Sequence, residues 1–415
     1  MNVAIIGGGI GGLALALSLH RMGMACDVYE SVPEVREIGV GITLLPHAMR
    51  ELDILGLEAP LEAAGIENFE SVFFNRFGQF IYREPRGRHA GYDRPEVGIH
   101  RGKLHRVLFD AVLARLGAQH VHLDHRCTGL EQDDAGVTIA FEGSAGMSRE
   151  AVRADVVVAC DGVNSAVRRQ FYPGEQLAFG GINTWRGVTV HPPILTGKSY
   201  LRVGSIETGK MVIYPIADNV DGKGGQLVNW VAEIRREGAP MNDWNKSGES
   251  RDFIDIFRDW RFDWLDVPAL IEGAETIFEY PMVDRDPVAR WTFGRVTLLG
   301  DAAHPMYPRG SNGSAQAIID ARTLAENLAR APDPRAALAA YEGARLPVTA
   351  RIVETNRTVP PDFINIRVDE LSGDKPFRHI DDLISQEELR RMSDEYKRIA
   401  GFALDKDKPT GTKPA

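Results

Sequence analysis

Four groups of residues in this 415-residue chain have types and spacings that could do chemistry. The first is Gly7-x-Gly9-x-x-Gly12, with Gly11 inside it and Glu30 further on. Gly7 permits a tight turn, Gly9 lets the backbone approach a pyrophosphate, and Gly12 lets a helix pack closely on a strand. A carboxylate at Glu30 accepts hydrogen bonds from ribose hydroxyls and disfavours a 2′-phosphate, which points to FAD or NAD rather than NADP. The second and third groups are Asp161-Gly162 and Gly300-Asp301, each closing an apolar run. Asp and Gly at a strand end make a turn that can face a ligand crevice, although Asp-Gly pairs also make ordinary turns. The fourth group is Trp185, Arg186, Tyr214, Trp230 and Tyr280, which could wall a pocket for an aromatic ligand. The plainer reading makes each of these aromatics a core or edge residue. Arg186 could pair a substrate carboxylate, or sit in a structural salt bridge. His304 lies near Asp301 and could be called a base, but a loop-shaping role is the simpler reading.

The elements that must position these residues are legible nearby. Val3–Ile6 is a short apolar run of the kind that forms a buried parallel strand. Leu13–Met22 reads as a helix whose N-terminus offers free N–H groups to phosphate, and Ala25–Tyr29 as a second strand ending at Glu30. A secretory signal is the rival reading of this start, but only Met1 and Asn2 precede the apolar run, with no Lys or Arg. Arg36, Gly39 and Gly41 follow, the glycines suggesting a backbone lying close to something, and Pro46–Leu55 reads as a helix. Phe69–Arg83 looks like strands around Gly78, and an amphipathic helix starts near Gly102 with Arg101 at its edge. Val121–Phe141 reads as a hairpin turning at Asp133–Gly136. Val156–Cys160 and Arg295–Leu299 are two more buried strands. The second is followed by a Pro- and Gly-rich loop with Pro308 and Gly310, and by an Ala-rich helix beginning at Gly313-Ser314, again an anion-binding arrangement. Residues 175–290 alternate in β fashion and predict a mostly antiparallel sheet in a second domain.

Composition narrows the class. Hydrophobic content of 44% and charged content of 26% are those of a globular protein. A net charge of −10 disfavours nucleic acid or an anionic membrane as partner. The three cysteines, Cys26, Cys127 and Cys160, are far apart and form no CxxC, which suggests a reducing compartment and no disulfide framework. No His, Cys and Asp cluster has metal-ligand spacing, and no stretch reads as a membrane span. These features predict a cytoplasmic monomer or homodimer. Beyond Arg357 the chain is charged, with a capped helix predicted after Ser385 and disorder predicted for Lys406–Ala415.

Taken together, Gly7-x-Gly9-x-x-Gly12 with Glu30, "CDGVNSAVR" at Cys160–Arg168 and "GRVTLLGDAAHPMYP" at Gly294–Pro308 resemble the group A flavin monooxygenases. These are the single-component aromatic hydroxylases of the para-hydroxybenzoate hydroxylase type. "REIGVGI", "GIHRG", "GGINTWRGVT", "LVNWV" and "AHPMYPRGSNGSAQAIIDA" look similar to its phenazine-carboxylate branch, which can hydroxylate with loss of a carboxylate. The resemblance spans about residues 1–350. It departs from the common Gly-Gln-Gly-x-Asn loop, which here reads Ser311-Asn312-Gly313-Ser314-Ala315.

The resemblance implies an α/β fold: a Rossmann-like FAD-binding domain, a mostly antiparallel β-sheet substrate domain and C-terminal helices. Residues 1–70, 98–174 and 291–357 would form the first, 71–97 and 175–290 the second, and 358–415 a helical extension and tail. It implies tightly bound FAD, with NADH or NADPH as transient co-substrate, O2, and a small aromatic or N-heteroaromatic substrate hydroxylated through a flavin C4a-hydroperoxide. Gly7, Gly9, Gly11, Gly12, Glu30, Arg36, Gly41, Arg101, Asp161, Gly162, Gly300, Asp301, Pro308, Gly310, Gly313 and Ser314 would surround the FAD. Within that set Arg36 and Arg101 would lie near its phosphates or adenosine, Asp301 would hold the ribityl chain, and the Gly313 helix start would face the flavin edge where negative charge develops. Trp185, Arg186, Tyr214, Trp230, Tyr280 and Pro308 would line the substrate pocket. Rival readings are a flavin halogenase, whose Trp-x-Trp-x-Ile-Pro is missing because "WRFDWLD" at Trp260–Asp266 has the wrong spacing, another flavoenzyme such as a dehydrogenase or oxidase, and a FAD-fold binding protein without chemistry.

Overall fold

The strand Asn2–Ile6 lies between Ala25–Tyr29 and Val156–Ala159, parallel to both, with Val3 opposite Cys26 and Val156. All of Val3–Ile6 and Val156–Ala159 are buried, because helices cover both faces of a parallel sheet and leave no polar side. Val296–Leu298 continues the sheet in parallel beyond Val156–Ala159, and Val121–His122 beyond Ala25–Tyr29; Thr292–Phe293 adds an antiparallel edge. The chain leaves the central strand to one side and returns to the other. Its C-terminal end at Ile6 is therefore a topological switch point, where an open α/β sheet has a crevice. The computed structural model describes residues 1–236, 247–358, 362–399 and 403–404.

A second, eight-stranded sheet runs Ser247–Gly248, Ile277–Asp284, Ala178–His191, Gln226–Arg235, Gly209–Ala217, Ser199–Ser205, Glu70–Phe74, Phe80–Pro85. It is antiparallel except where Ser199–Ser205 pairs with Glu70–Phe74 in parallel. Side chains alternate between its faces. One face carries Trp185, Trp230, Leu201, Met211 and Ile213, which pack with Phe253, Phe257, Trp260 and Leu270 into an apolar core. The other carries Tyr200, Val212, Tyr214 and Val231 and looks toward the nucleotide-type sheet. A small sheet of Gly41–Leu44, Val97–His100 and Ile66–Glu67 bridges the two layers. It sits so close to the polar face that a Cβ on Gly98 would lie 2.5 Å from the Pro215 carbonyl oxygen and 3.3 Å from the Tyr214 ring.

From Gly313 onward the described part of the chain is helical. Gly313–Arg330 and Pro334–Thr358 follow the loop after Leu298, the latter with Pro347 inside it. Phe363–Ser372, a helix not anticipated from sequence, and Gln386–Ile399 cover Phe73, Ile81 and Tyr82 with Ile364, Val368, Ile384 and Leu389. The Glu388 N–H donates to Ser385 Oγ at 3.2 Å, as the capping pattern requires. The tail predicted to be disordered, Lys406–Ala415, lies outside the described residues. Among those described, no helix is long and apolar enough to cross a membrane.

The extension is fastened by buried charge. Glu84 accepts from Lys397 Nζ at 2.8 Å and Ser393 Oγ at 2.6 Å, and pairs with Arg86 at 3.4 Å. Burial pushes the Glu84 carboxyl up, but Lys397 and Arg86 outweigh it and hold the group below the usual carboxylate range. Its folded value is thus lower than the unfolded one, near 4.3. The stability from this group is present above that value and is lost as pH falls through the lower, folded one. Lys397→Met removes one partner of a buried pair and is expected to cost about 3 kcal/mol. It should raise the pH midpoint of acid unfolding, followed by circular dichroism; an unchanged midpoint would show that Glu84 and Lys397 do not fasten the helix.

Candidate active site

The glycine-rich turn sits at the switch point. Gly7 has φ +105, and a Cβ there would collide with the Cys160 carbonyl oxygen. A Cβ on Gly12 would strike the Gly7 carbonyl oxygen, so the helix Ile10–Arg21 crosses the strand with no room for a side chain. Gly9 differs: nothing lies within 4 Å of its Cβ position. It is the N-cap of the helix, and no side chain caps the free N–H groups there. Open space at free amides and the positive end of a helix dipole is an arrangement that holds a pyrophosphate. Glu30 closes the turn, its Oε2 accepting from the Gly8 N–H at 2.7 Å and its Oε1 from Ser31 Oγ and the Val32 N–H at 3.0 Å each. His105, not singled out from sequence, lies 2.6 Å from the Gly8 carbonyl oxygen through Nε2.

Two further carboxylates frame the crevice. Asp161 Oδ2 accepts from the Ala166 N–H at 2.8 Å, at the start of the helix Ala166–Phe171, which Ser165 caps. Its Oδ1 is buried without a hydrogen-bond partner among the described residues, and burial pushes its pKa up despite hydrogen bonds from Ser165 and the backbone. An orphaned buried acceptor beside the glycine turn is what a ligand hydroxyl would satisfy. Asp301 is exposed, and its Oδ1 lies 3.9 Å from the Cβ position of Gly313, at the start of the helix Gly313–Arg330. The loop between them has left-handed backbone at Gly310, φ +69, and at Ser311, φ +55. Ser311 occupies the place where the resembling family has a glycine, and the backbone keeps the glycine-type conformation. Asn312 at the helix start is buried, with its Oδ1 3.3 Å from His47 Nε2 and 3.0 Å from Gln316 Nε2. Burial pushes the His47 pKa down to about 4, so His47 is neutral at pH 7. These groups fit FAD: a bare pyrophosphate cradle, acceptors for sugar hydroxyls and a helix N-terminus by the loop.

The polar face of the large sheet meets this loop. Tyr214 is buried and stacks on Tyr200 with centroids 4.9 Å apart. Burial raises its pKa, Tyr200 adding to the effect, so its phenol is protonated at pH 7. Arg186 lies 5.9 Å from the Tyr280 ring, and its Nε is buried with no hydrogen-bond partner among the described residues. Asn229, missed in the sequence, accepts: its Oδ1 takes the Gly41 N–H at 2.7 Å, and a Cβ on Gly41 would sit 2.6 Å from Asn229 Cβ. Tyr396 from the C-terminal helix packs on Leu45, and its hydroxyl occupies the space a Cβ on Gly310 would need. Neither Asn229 nor Tyr396 carries a local signal, since each acts across a long stretch of chain.

Three expected site residues lie elsewhere. Trp185 and Trp230 are 1% and 0% exposed and belong to the apolar core on the opposite face, so they do not line a pocket with Tyr214. Parity explains this: Trp185 neighbours Arg186 along one strand and must point the other way. His304 is buried in a triad, with Nε2 2.6 Å from Asp320 Oδ2, while Arg345 Nε donates to Asp320 Oδ1 at 2.6 Å. It fixes the loop and is not placed as a base. Arg36 is exposed and pairs with Glu34 at 2.7 Å. By contrast Arg101, also exposed, has no carboxylate within ion-pair distance among the described residues, and its N–H donates to the Val40 carbonyl at 2.9 Å. Pro308 is exposed on the loop, and Gly162, φ +76, turns the chain beside Asp161.

Comparison with known proteins agrees with this geometry. The family model described as "FAD binding domain" matches residues 1–356. The chain is 40% identical to phenazine 1,6-dicarboxylic acid hydroxylase PhzS of Lysobacter antibioticus over 362 residues, 86% of this chain and 89% of that protein. It is 31% identical to 3-hydroxybenzoate 6-hydroxylase of Polaromonas naphthalenivorans (strain CJ2) over 366 residues, 86% of each. The fold is similar to that of Klebsiella pneumoniae HpxO solved with FAD and uric acid, at TM-score 0.75 and 24% identity, covering 97% of this chain and 95% of that one.

Two substitutions separate folding from ligand approach. Gly9→Ala has room for its methyl group and is expected to leave apoprotein stability within about 0.5 kcal/mol, yet to lower flavin retention. Gly12→Ala forces helix and strand apart and is expected to lose both. Flavin absorbance per protein and apoprotein melting read the two effects; equal flavin retention in G9A and wild type would remove the pyrophosphate from Gly9.

Proposed function

The chain belongs to the FAD-binding domain family, and from that premise we propose that it is a monooxygenase that uses NAD(P)H and O2 to hydroxylate a small aromatic substrate. The observation that carries this reading is the meeting of two surfaces. The dinucleotide crevice lies against the helix Gly313–Arg330, where a Cβ on Gly11 would sit 3.4 Å from Ala317 Cβ, and the sheet face bearing Tyr214, Arg186 and Tyr280 reaches the preceding loop at Tyr307, which packs with Ile182 and Met282. The two hydroxylases it resembles act, by their names, on aromatic carboxylates, which supports an aromatic acid as substrate.

FAD, when bound, supplies the electron transfer and oxygen chemistry. The chain's own groups bind, orient and exclude water. Gly9 and the first N–H groups of Ile10–Arg21 would receive the pyrophosphate, Glu30 the ribose, Asp161 and Asp301 hydroxyls of the linker, and Arg101 a phosphate charge. The N–H groups at Gly313 and Ser314 would face the flavin's pyrimidine edge. Tyr214, held protonated by burial, has an O–H to offer to a substrate oxygen or ring nitrogen. Leu45 and Tyr396 pack together by the loop and keep bulk water from it, as a reaction that must not leak peroxide requires.

NAD(P)H oxidation by the purified flavoprotein, with hydrogen peroxide followed in parallel, tests the reading. One compound from a panel of hydroxy- and carboxy-aromatics, N-heterocycles included, should accelerate oxidation with little peroxide released. A flavoprotein that no aromatic compound stimulates would argue for another flavin chemistry. Tyr214→Phe is expected to keep its flavin and lose about 10- to 100-fold in substrate-stimulated turnover, with more peroxide per NAD(P)H; unchanged coupling would place Tyr214 outside the substrate site.

A further inference from the structure

The register of the large sheet places two arginines in one cross-strand row. Arg186 is opposite Val231, Val231 is opposite Val212, and Val212 is opposite Arg202. All four side chains therefore share the face that carries Tyr214 and Tyr200. Arg186 and Arg202 stand three strands apart, roughly 14 Å at about 4.8 Å per strand, with an apolar floor of two valines between them. Tyr214 and Tyr200, stacked in the next row, form one side of this trough.

Neither arginine has an acid. Arg202 is 7% exposed, and among the described residues no carboxylate lies within ion-pair distance of it. Its Nη1 donates to the neutral Ser71 Oγ, and its guanidinium lies 4.9 Å from the Phe73 ring and 4.7 Å from the Tyr200 ring. Arg186 likewise has no ion pair among the described residues, and its buried Nε has no acceptor. The nearby acids are already engaged: Glu233 in the next row and Asp362 at the start of the helix Phe363–Ser372 both hold Lys210 Nζ, each at 3.0 Å. Arg86, by contrast, is buried beside Glu96 at 2.8 Å and Glu84 at 3.4 Å, which is how this protein satisfies a buried guanidinium when no ligand is called for. Arg202 is a cation taken from water without an anion, which is costly, and Arg186, half-buried on the same face across the apolar floor, has a buried Nε with no acceptor among the described residues; together they point to a missing dianion.

We infer that the substrate is a flat aromatic carrying an anionic group at each end, and that Arg186 and Arg202 each bind one carboxylate while Val212 and Val231 support the ring between them. This rests on the hydroxylase reading above and adds the double charge and the residue that reads its far end. Arg suits the task because its planar fork accepts a carboxylate bidentately.

The test titrates the purified FAD-loaded enzyme with phenazine-1,6-dicarboxylate and with phenazine-1-carboxylate, following the change in flavin absorbance. Wild type should bind the diacid more tightly than the monoacid. In R202Q of normal flavin content, diacid affinity should fall on the order of 10- to 100-fold, to about that of the monoacid, and R186Q should erase the preference as well. If R202Q does not retain flavin, R202K takes its place and should lose part of the preference, since it keeps the charge without the fork. A preference that survives undiminished in these variants overturns the inference, as does a wild type that does not distinguish the two acids or binds neither. NAD(P)H oxidation by the same preparations separates the two levels. Stimulation by other aromatics without diacid preference sinks the dianion and leaves the hydroxylase standing; stimulation by no aromatic sinks the reading beneath it.

Discussion

A single buried carboxylate, Asp320, holds together the segments on which the site depends. It is fully buried and takes donors from three places: the Gly300 N–H at 3.3 Å, His304 Nε2 at 2.6 Å and Arg345 Nε at 2.6 Å. A carboxylate removed from water is tolerable only when its lone pairs are met and charge is balanced. Burial alone would raise its pKa, but His304 and Arg345 together hold it below the usual range. The strand end at Gly300, the loop at His304 and the helices Gly313–Arg330 and Pro334–Thr358 are thereby locked to one point. Arg345 extends the lock through Gln316, which it reaches at 2.5 Å, and Gln316 in turn holds Asn312. Asp301, Pro308 and Gly310 therefore hang from a rigid frame, which is what a site needs if it is to hold a large ligand in one pose.

The large sheet divides its labour by parity. Because side chains alternate, each strand contributes to two unlike environments at once. On one face Trp185 and Trp230 pack against the Phe253–Leu270 segment and give the layer its stability. On the other, Tyr214 and Asn229 meet the small sheet that joins the nucleotide-type layer, Arg186 lies beside them, and Arg202 stands next to Phe73, which the C-terminal helices cover. Asn229 is the joint between the layers, since its side chain takes the Gly41 N–H and leaves no space for a larger residue at Gly41. A one-residue slip in register would bury the arginines in the tryptophan core and expose the indoles to the site, so the apolar face also fixes the chemistry of the polar one.

The C-terminal extension completes the enclosure from outside the two sheets. Its helices cover the Glu70–Phe74 and Phe80–Pro85 strands and bring Tyr396 to Leu45 and Gly310. The charges that fasten it, Glu84 with Lys397 and Asp362 with Lys210, are buried and specific in partner. Such pairs add less to net stability than apolar packing would, and their geometry is a means of fixing where the extension docks.

The sequence by itself determined the nucleotide-binding crevice. Gly7, Gly9 and Gly12, the flanking strands and Glu30 form one contiguous unit, and the sterics of a tight turn and of a helix crossing a strand are local. For the same reason the Gly313 helix start, the Ser385 cap and the β alternation of residues 175–290 were legible. Alternation also requires Trp185 and Arg186 to face opposite ways, yet a period of two says nothing about which face meets the ligand layer and which meets core. That choice, and with it the withdrawal of Trp185 and Trp230 from the site, came from non-local strand pairing. So did the row joining Arg186 to Arg202, the seat of Asn229 on Gly41, the arrival of Tyr396 at Gly310 and the capture of His304 by Asp320. Each of these joins residues far apart in the chain, so only the tertiary structure, which sets register and layer packing together, could decide them.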